Sequence, residues 1–176
     1  MLDRVTKSNS LVRVQSWERR GLTIPQAAAD VVRIDWPLQA GAVASGRADV
    51  ICVGPTDWLV VAGSDLPEDE LLETLAAAFH GSSFRATALT CALARIRIGG
   101  DHARALLSKA CALDAQSADL MPGRAPRTLV AGLPVIIRCL ERSSFECIVP
   151  LSYADYLMAW LADAAAEFAV TRPPGG

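Results

Sequence analysis

Short runs in which apolar and polar residues alternate with a period of two limit what this sequence can fold into. Successive side chains of a strand point to opposite faces, so this period predicts strands with one buried face. Residues 94–98 are the clearest case, and we expect the two arginines of this run to face solvent or a partner. The predicted strands are LVRVQSW, ADVICVG, DWLVVAG, SFRATAL, ALARIRI, RTLVAG, PVIIRCL and FECIVP, with weaker support for VVRIDW.

Three other segments have the period of an amphipathic helix. SDLPEDELLETLAAAFHG starts with a proline and three acidic residues that suit a first turn, and it ends at Gly81. GGDHARALLSKAC has Asp101 as its predicted N-cap, and LSYADYLMAWLADAAAEF has a capping box from Ser152 to Asp155. The predicted inward face of the last helix is Tyr153, Tyr156, Leu157, Trp160, Leu161, Ala164 and Phe168.

The order of these segments predicts an α+β fold with mostly antiparallel sheets and three main helices. Turn signals at GPTD, AGLP and ERSS predict hairpins. The stretch starting at Asp57 resembles the stretch starting at Ser144 in its order of hairpin, apolar strand, capped helix and alanine-rich end. Duplication and convergence both account for this likeness. We expect one domain over residues 1–170, with halves 1–90 and 91–170, and a disordered tail over 171–176.

Composition excludes several classes of protein. The formal net charge is -2 and the basic residues are scattered, which argues against nucleic-acid binding. The opening MLDRVTKSNS lacks the apolar core of a signal peptide, and no apolar run approaches the roughly 18 residues of a membrane span. Five cysteines without a CxxC pair predict small, buried thiols in a reducing compartment. We therefore expect a cytoplasmic protein that binds neither nucleic acid nor membrane.

The residue types of catalytic and metal sites are sparse. The two histidines, His80 and His102, do not have the spacing of a metal-binding motif, so we predict no metal site. His102 and Cys111 are nine residues apart on one predicted helix, or roughly 13 Å along its axis. This separation argues against a cysteine–histidine pair, and we predict no catalytic residue in the chain.

Asp114 follows a helix end, where the helix dipole disfavours a negative charge. Arg124 or Arg127, after the loop, is expected to compensate this charge. A structural ion pair or loop cap and a ligand contact are both consistent with this pattern.

Two segments have no clear place in the repeat-like halves. They are the predicted strand at 11–17 and RIDWPLQAGAV, whose Trp36 and Leu38 flank a proline that cannot join a central sheet. We predict that one or both lie against a partner, and that the isolated chain self-associates or leaves the segment mobile.

The second half resembles a known family. The segments GGDHARALL, CALD, PGRAPRT and SYADYLMAWL, in this order, and GPTDWLVV before them, resemble the gamma subunit of heterotetrameric sarcosine oxidase. A looser likeness extends to the folate-binding aminomethyltransferase of the glycine cleavage system. The resemblance covers about residues 45 to 169 and is strongest from Ala92 onward. It implies an aminomethyltransferase-type fold with two pseudo-repeated ferredoxin-like halves.

The resemblance also implies a non-catalytic accessory subunit with alpha, beta and delta partners. The complex it implies demethylates sarcosine oxidatively to glycine with FAD, FMN, NAD and tetrahydrofolate, none of them held by this chain. By position, Asp114 matches the aspartate that aminomethyltransferases place near the folate nitrogens, and Arg127 stands where they have an aromatic residue. Asp114, Arg124 and Arg127 are thus the candidate vestigial folate position. The alternatives are a stand-alone folate-binding or one-carbon-transfer protein and an unrelated small-molecule binding module.

Overall fold

The computed structural model describes residues 2–5, 10–18 and 22–169, and these form ten strands and four α-helices. The strands are β1 (Leu2–Val5), β2 (Ser10–Ser16), β3 (Val43–Ser45), β4 (Ala48–Gly54), β5 (Asp57–Ala62), β6 (Phe84–Ala88), β7 (Leu93–Gly99), β8 (Arg127–Val130), β9 (Leu133–Glu141) and β10 (Ser144–Pro150). The helices are α1 (Gln26–Val32), α2 (Glu68–Ala78), α3 (Ala103–Ala110) and α4 (Ala154–Ala169). All strand pairs are antiparallel, so the predicted α+β class is confirmed. The tail at 171–176 lies outside the described residues.

The strands form two five-stranded sheets with equivalent topology. The N-sheet has the order β3-β4-β5-β2-β6, and the C-sheet has the order β8-β9-β10-β7-β1. Each sheet contains a ferredoxin-like unit of four strands in the order 4-1-3-2, with one extra edge strand. These units are β6-β2-β5-β4 with β3 at the edge, and β1-β7-β10-β9 with β8 at the edge. The last strand of the C-sheet is β1, which comes from the beginning of the chain. Because β1 of the first half pairs with β7 of the second, strand pairing alone does not separate the halves near residue 90. The boundary there remains our proposal.

The N-sheet is covered on one face by α1 and α2. Trp36 packs in this core with only 5% of its surface exposed, and its Nε1 donates to the Ala28 carbonyl at 3.2 Å. Its ring meets Trp58 and Phe79 edge to face. The prediction that this segment lies against a partner is therefore wrong for Trp36, whereas Leu38 is 63% exposed. The prediction for 11–17 is wrong for β2, an interior strand between β5 and β6, whereas Trp17 after it is 69% exposed.

The predicted strand VVRIDW is instead the end of α1 and a turn. The helix stops at Val32, and Arg33 takes a left-handed conformation with φ of 56° that closes it. Two valines in a row favoured a strand, but Ala28, Ala29 and Val32 form a buried helical stripe. Tertiary packing thus overrides the β preference of valine here.

The helix α2 matches its prediction. Pro67 precedes it, and Glu68, Asp69 and Glu70 form its first turn, where the helix dipole favours negative charge. Leu71 and Leu75 are fully buried against the N-sheet. Gly81 follows with φ of +73°, which allows the chain to turn away.

The C-sheet is covered by α3 and α4. Its core contains Ile96, Ile137, Phe145, Leu157 and Leu161, among other residues. The N-cap of α3 is His102 and not Asp101, which lies one residue earlier in the turn.

The inward face of α4 is narrower than predicted. Tyr153 and Tyr156 are 43% and 54% exposed, so their assignment to the core is wrong. Trp160 is half-buried at the edge of this core. A 3₁₀ turn at Leu151–Tyr153 precedes the helix and turns the first tyrosine outward.

Candidate functional site: the interface between the two sheets

The two sheets pack against each other through the faces that the helices leave uncovered. Alternation in β2, β4 and β5 places Leu11, Ile51, Leu59 and Val61 on the inner face of the N-sheet. These side chains are at most 3% exposed and cluster with Ile148 of β10. The molecule thus has four layers, helices, sheet, sheet and helices, with a third apolar core in the middle.

A buried ion-pair cluster lies beside this middle core. The Glu146 carboxylate is fully buried and accepts from Arg95 Nη2 at 2.5 Å and from Arg138 Nη1 at 3.4 Å. Arg97 Nε lies 3.7 Å from the same carboxylate. Arg138 also donates to Asp49 of β4. That contact joins the C-sheet to the N-sheet, so the cluster fixes how the two sheets lie on each other.

Arg95 was expected to face solvent or a partner, and this prediction is wrong. Only 5% of its surface is exposed, since the outer face of the predicted strand is the inner face of the sheet pair. Its Nε and Nη1 have no hydrogen-bond partner. Unpaired buried donors cost free energy, so we infer that the cluster contributes to orientation more than to net stability.

Backbone hydrogen bonds also join the two sheets along one edge. Gly41 donates to the Cys52 carbonyl of β4 at 2.8 Å, and its own carbonyl accepts from Ala125 at 2.8 Å. The carbonyl of Arg124 then accepts from Cys139 of β9 at 3.1 Å. We call residues 41–43 and 123–126 the joint. It contains GRAP, residues 123–126 of the segment PGRAPRT that carries part of the family resemblance.

A cleft of about 270 Å³ opens between the sheets. Both sheets contribute to its wall, which is lined by Arg13, Val53, Asp57, Leu59, Leu89, Leu93, Arg127, Pro134, Val135, Ile136, Ile148 and Pro150. Most of these side chains are apolar, and the charged ones are few. The cleft is therefore suited to binding an apolar group.

One ion pair lies in the wall of the cleft. Arg13 Nε and Nη2 donate to the two oxygens of Asp57 at 2.9 and 2.6 Å. These hydrogen bonds to Asp57 raise the pKa of Arg13 above its ordinary value, against the opposing effect of burial. The pair is bidentate and neutral overall, so Asp57 is occupied as a structural partner.

The structure separates the three candidate folate residues. Asp114 is exposed, and its Oδ1 accepts from the Gln116 amide at 2.9 Å, which makes it the cap of its own turn. Arg124 pairs with Asp119 at 3.1 Å. Arg127, at the start of β8, lines the cleft. Within the described residues, Asp114 forms no ion pair and is absent from the lining of the cleft.

Arg104 shapes this loop, and sequence reasoning missed it. Its guanidinium donates to the carbonyl oxygens of Ala115, Leu120 and Arg142, the last two at 3.1 and 2.9 Å. It also lies 5.0 Å from the ring centroid of Phe145. Nothing in the helical period distinguished this arginine from a solvated one. It holds the loop after α3 against the C-sheet.

The remaining reactive groups do not converge on a site. Cys52, Cys139 and Cys147 are buried and Cys111 is half-buried, but Cys91 is exposed, so the prediction of five buried thiols is wrong for Cys91. In the described ranges, no three or more His, Cys, Asp or Glu side chains are placed so that they could hold a metal ion. The helices of these ranges are also too short or too polar to cross a membrane.

A second groove lies beside α4. Leu2, Ile98, Leu106 and a row of alanines form its walls, and His102 stacks on Phe168 at its rim with ring centroids 4.9 Å apart. Its volume is about 450 Å³. Its polar lining is confined to Asp101 and His102, both exposed.

The chain is similar to proteins of one family. The model of the sarcosine oxidase, gamma subunit family matches residues 22–167. The gamma subunit of sarcosine oxidase from Corynebacterium sp. (strain U-96) is 28% identical over 155 residues, which are 86% of this chain and 74% of that protein.

Solved structures show the same fold. A chain of the heterotetrameric sarcosine oxidase from Corynebacterium sp. U-96 is similar with a TM-score of 0.86 at 23% identity, over 99% of this chain and 87% of that one. The glycine cleavage system aminomethyltransferase T from Bartonella henselae is similar with a TM-score of 0.66 at 16% identity. That match covers 91% of this chain and 44% of the aminomethyltransferase. At these identities, the two structures bear on the fold alone.

Proposed function

Because the chain belongs to the sarcosine oxidase, gamma subunit family, we propose that it is a non-catalytic accessory subunit of a heterotetrameric sarcosine oxidase. The family match over residues 22–167 is the observation that carries this proposal. In the proposed role, the chain contributes binding surface and architecture to the complex. The chemistry belongs to the other subunits.

The proposal extends to the partners and cofactors of the complex. The partners are alpha, beta and delta subunits, and the complex demethylates sarcosine oxidatively to glycine with tetrahydrofolate as the one-carbon acceptor. FAD, FMN and NAD belong to the partner subunits in this proposal. We place the complex in the cytoplasm, where the five unpaired thiols of this chain would stay reduced.

The cleft supports a binding role over a catalytic one. A general base must be free to accept a proton from substrate. Both oxygens of Asp57 already accept from Arg13, and the guanidinium of Arg127 has donors but no acceptor atom. The other lining residues carry no titratable side chain. The cleft can hold a group but has no means to transform it.

Folate binding is the second candidate function, favoured by the fold likeness to the aminomethyltransferase. It would use Asp114, Arg124 and Arg127. Since Asp114 caps its own turn and Arg124 pairs with Asp119, we expect little or no affinity in the isolated chain. Calorimetric titration with tetrahydrofolate tests this. Micromolar affinity that is lost in Asp114→Ala would favour folate binding over the accessory role.

Co-expression with the flavoprotein subunits of its own sarcosine oxidase tests the accessory role. We expect one stable assembly that elutes as a single species, and a colourless isolated chain. A preparation lacking this chain is the control for assembly of the other subunits alone. If the chain elutes separately from an otherwise intact oxidase, the accessory role is wrong.

A further inference from the structure

We propose that the cleft between the two sheets binds a segment of a partner subunit in which a large apolar side chain lies next to a carboxylate. This inference rests on the proposed accessory function and names the surface that serves it. Three features of the cleft support it, namely its apolar wall, its unbalanced charge and its exposed apolar rim.

The wall and size of the cleft favour an apolar side chain. Leu59 and Ile148 are buried at its base, and Leu89, Leu93 and Ile136 are half-buried along its sides. Its volume of about 270 Å³ is below the roughly 300–1,000 Å³ of typical small-molecule pockets. An inserted side chain of a partner matches this volume, and interface anchors commonly fill such pockets.

The charge of the cleft favours a carboxylate beside that side chain. Arg13 and Asp57 neutralise each other through two short hydrogen bonds. Arg127 forms no ion pair or side-chain hydrogen bond with any other part of the chain that the structure describes. The cleft therefore has a formal charge of +1, located on a guanidinium that suits bidentate binding of a carboxylate.

The rim extends the apolar surface outside the cleft. Leu129 and Pro134 are paired in register on β8 and β9, two residues along from the pair of Arg127 and Ile136. Alternation places Leu129 on the same face as Arg127, and 50% of its surface is exposed. Apolar surface that continues from a cleft onto its rim is typical of an interaction site.

The test measures the affinity of the full-length chain for the remaining subunits of the oxidase. Arg127→Glu reverses the charge of the cleft, Arg127→Lys retains it, and Leu129→Ser removes the apolar rim. Arg142→Glu is the matched control, because Arg142 is exposed in the turn between β9 and β10. Thermal unfolding of each isolated variant verifies that its fold is unchanged.

We expect Arg127→Glu to raise the dissociation constant roughly 30-fold or more, since a desolvated carboxylate would lose its partner. Leu129→Ser should weaken assembly in the same direction, and Arg127→Lys should stay within about fivefold of wild type. Arg142→Glu should assemble like wild type. If Arg127→Glu and Leu129→Ser both assemble like wild type, the cleft is not at the interface and the inference is wrong.

Two further outcomes separate this inference from others. If the wild-type chain does not assemble at all, the accessory function fails and the cleft inference fails with it. The isolated chain is also titrated with hexanoate, a small carboxylate with an apolar body. If the wild-type chain binds hexanoate saturably, Arg127→Glu abolishes that binding, and Arg127→Glu still assembles like wild type, the cleft binds a small molecule and the docking inference is wrong.

Discussion

At the scale of single residues, the most consequential side chain is the Glu146 carboxylate. It is fully buried, and its neighbours Arg95 and Arg138 are nearly so. Removing one member of a buried cluster leaves uncompensated charge, whereas surface pairs contribute little. The cost of a substitution should therefore follow burial more than the number of ion pairs.

We predict that Glu146→Gln lowers the free energy of unfolding by about 3–5 kcal/mol, because the buried guanidiniums of Arg95 and Arg138 lose their shared counter-charge. Urea unfolding of the isolated chain measures this change. Glu70→Gln is the control, since Glu70 is more than half exposed in its 3.3 Å pair with Arg47. It should cost less than about 1 kcal/mol. Equal losses in the two variants would contradict the assignment of Glu146 to a buried cluster.

The cysteines differ from one another in exposure and in acidity. Burial raises the pKa of the Cys147 thiol to about 12, and burial likewise raises the pKa of Cys52 and Cys139. We predict that iodoacetamide at pH 8 labels Cys91 rapidly and leaves Cys147 unmodified until the chain is denatured. Peptide mass spectrometry identifies the labelled sites. Labelling of Cys147 at the rate of Cys91 in the folded chain would be inconsistent with this packing.

The raised pKa of Cys147 also predicts how stability depends on pH. In the unfolded chain the thiol loses its proton above its ordinary pKa of 9.0, whereas in the folded chain it keeps the proton up to about 12. Stability should fall as pH rises through this window, by about 1.4 kcal/mol per pH unit for this thiol. The slope should be smaller in Cys147→Ala. Identical slopes would count against the shift.

At the scale of elements, the joint links the two sheets through backbone hydrogen bonds. Gly41 has φ of +77°, and a Cβ built there would lie 3.6 Å from Pro126 Cα. That distance is ordinary contact, so the cost of a side chain comes from the left-handed backbone. The joint tolerates the volume of a methyl group but not the conformational preference of an L-residue.

We predict that Gly41→Ala destabilises the chain by about 1–2 kcal/mol, because alanine resists the left-handed conformation that the joint requires. Gly99→Ala is the control, since Gly99 at the end of β7 has no positive φ and open space around its Cβ position. In denaturant unfolding, the loss of stability for Gly99→Ala should be no more than a few tenths of the loss for Gly41→Ala. If the two variants unfold alike, Gly41 is not held in this conformation.

At the scale of the whole molecule, the beginning of the chain completes the sheet formed by its second half. The four residues of β1 pair with β7 from Leu2 opposite Ile98 to Val5 opposite Arg95. Without them, β7 would become an edge strand with unpaired backbone groups, next to the half-buried ring of Phe168. The two halves are therefore interdependent, although their topologies are equivalent.

We predict that deleting residues 1–5 lowers the free energy of unfolding by about 2–5 kcal/mol. This range lies within the roughly 2–6 kcal/mol given by a net 0.5–1.5 kcal/mol for each of about four lost hydrogen bonds. The exposed edge of β7 should also promote self-association, visible by light scattering. A control chain in which residues 2–5 are replaced by four threonines restores backbone pairing and should recover most of the stability. A truncated chain as stable and monomeric as the intact one would show that β1 contributes nothing.

The sequence by itself determined most of the elements and the family. Period-two runs located β2, β4, β5 and β6 to β10, and the apolar stripe with its acidic first turn located α2. These signals are local, because alternation and capping depend on neighbouring residues. The short elements β3 and α1 were not predicted, because three and seven residues are too few for a period to show.

Only the tertiary structure decided what covers each face. Alternation placed Arg95 opposite the apolar residues of β7, but a second sheet, not water, lies on that side. Tyr156 shares the apolar stripe of α4, yet 54% of its surface is exposed. The tertiary structure also separated the candidate folate residues, with Asp114 in its own turn and Arg127 in the wall of the cleft. Their spacing along the chain could not predict this separation. The pairing of β1 with β7 and the joint depend on hydrogen bonds between distant segments, and these form only when the whole chain packs.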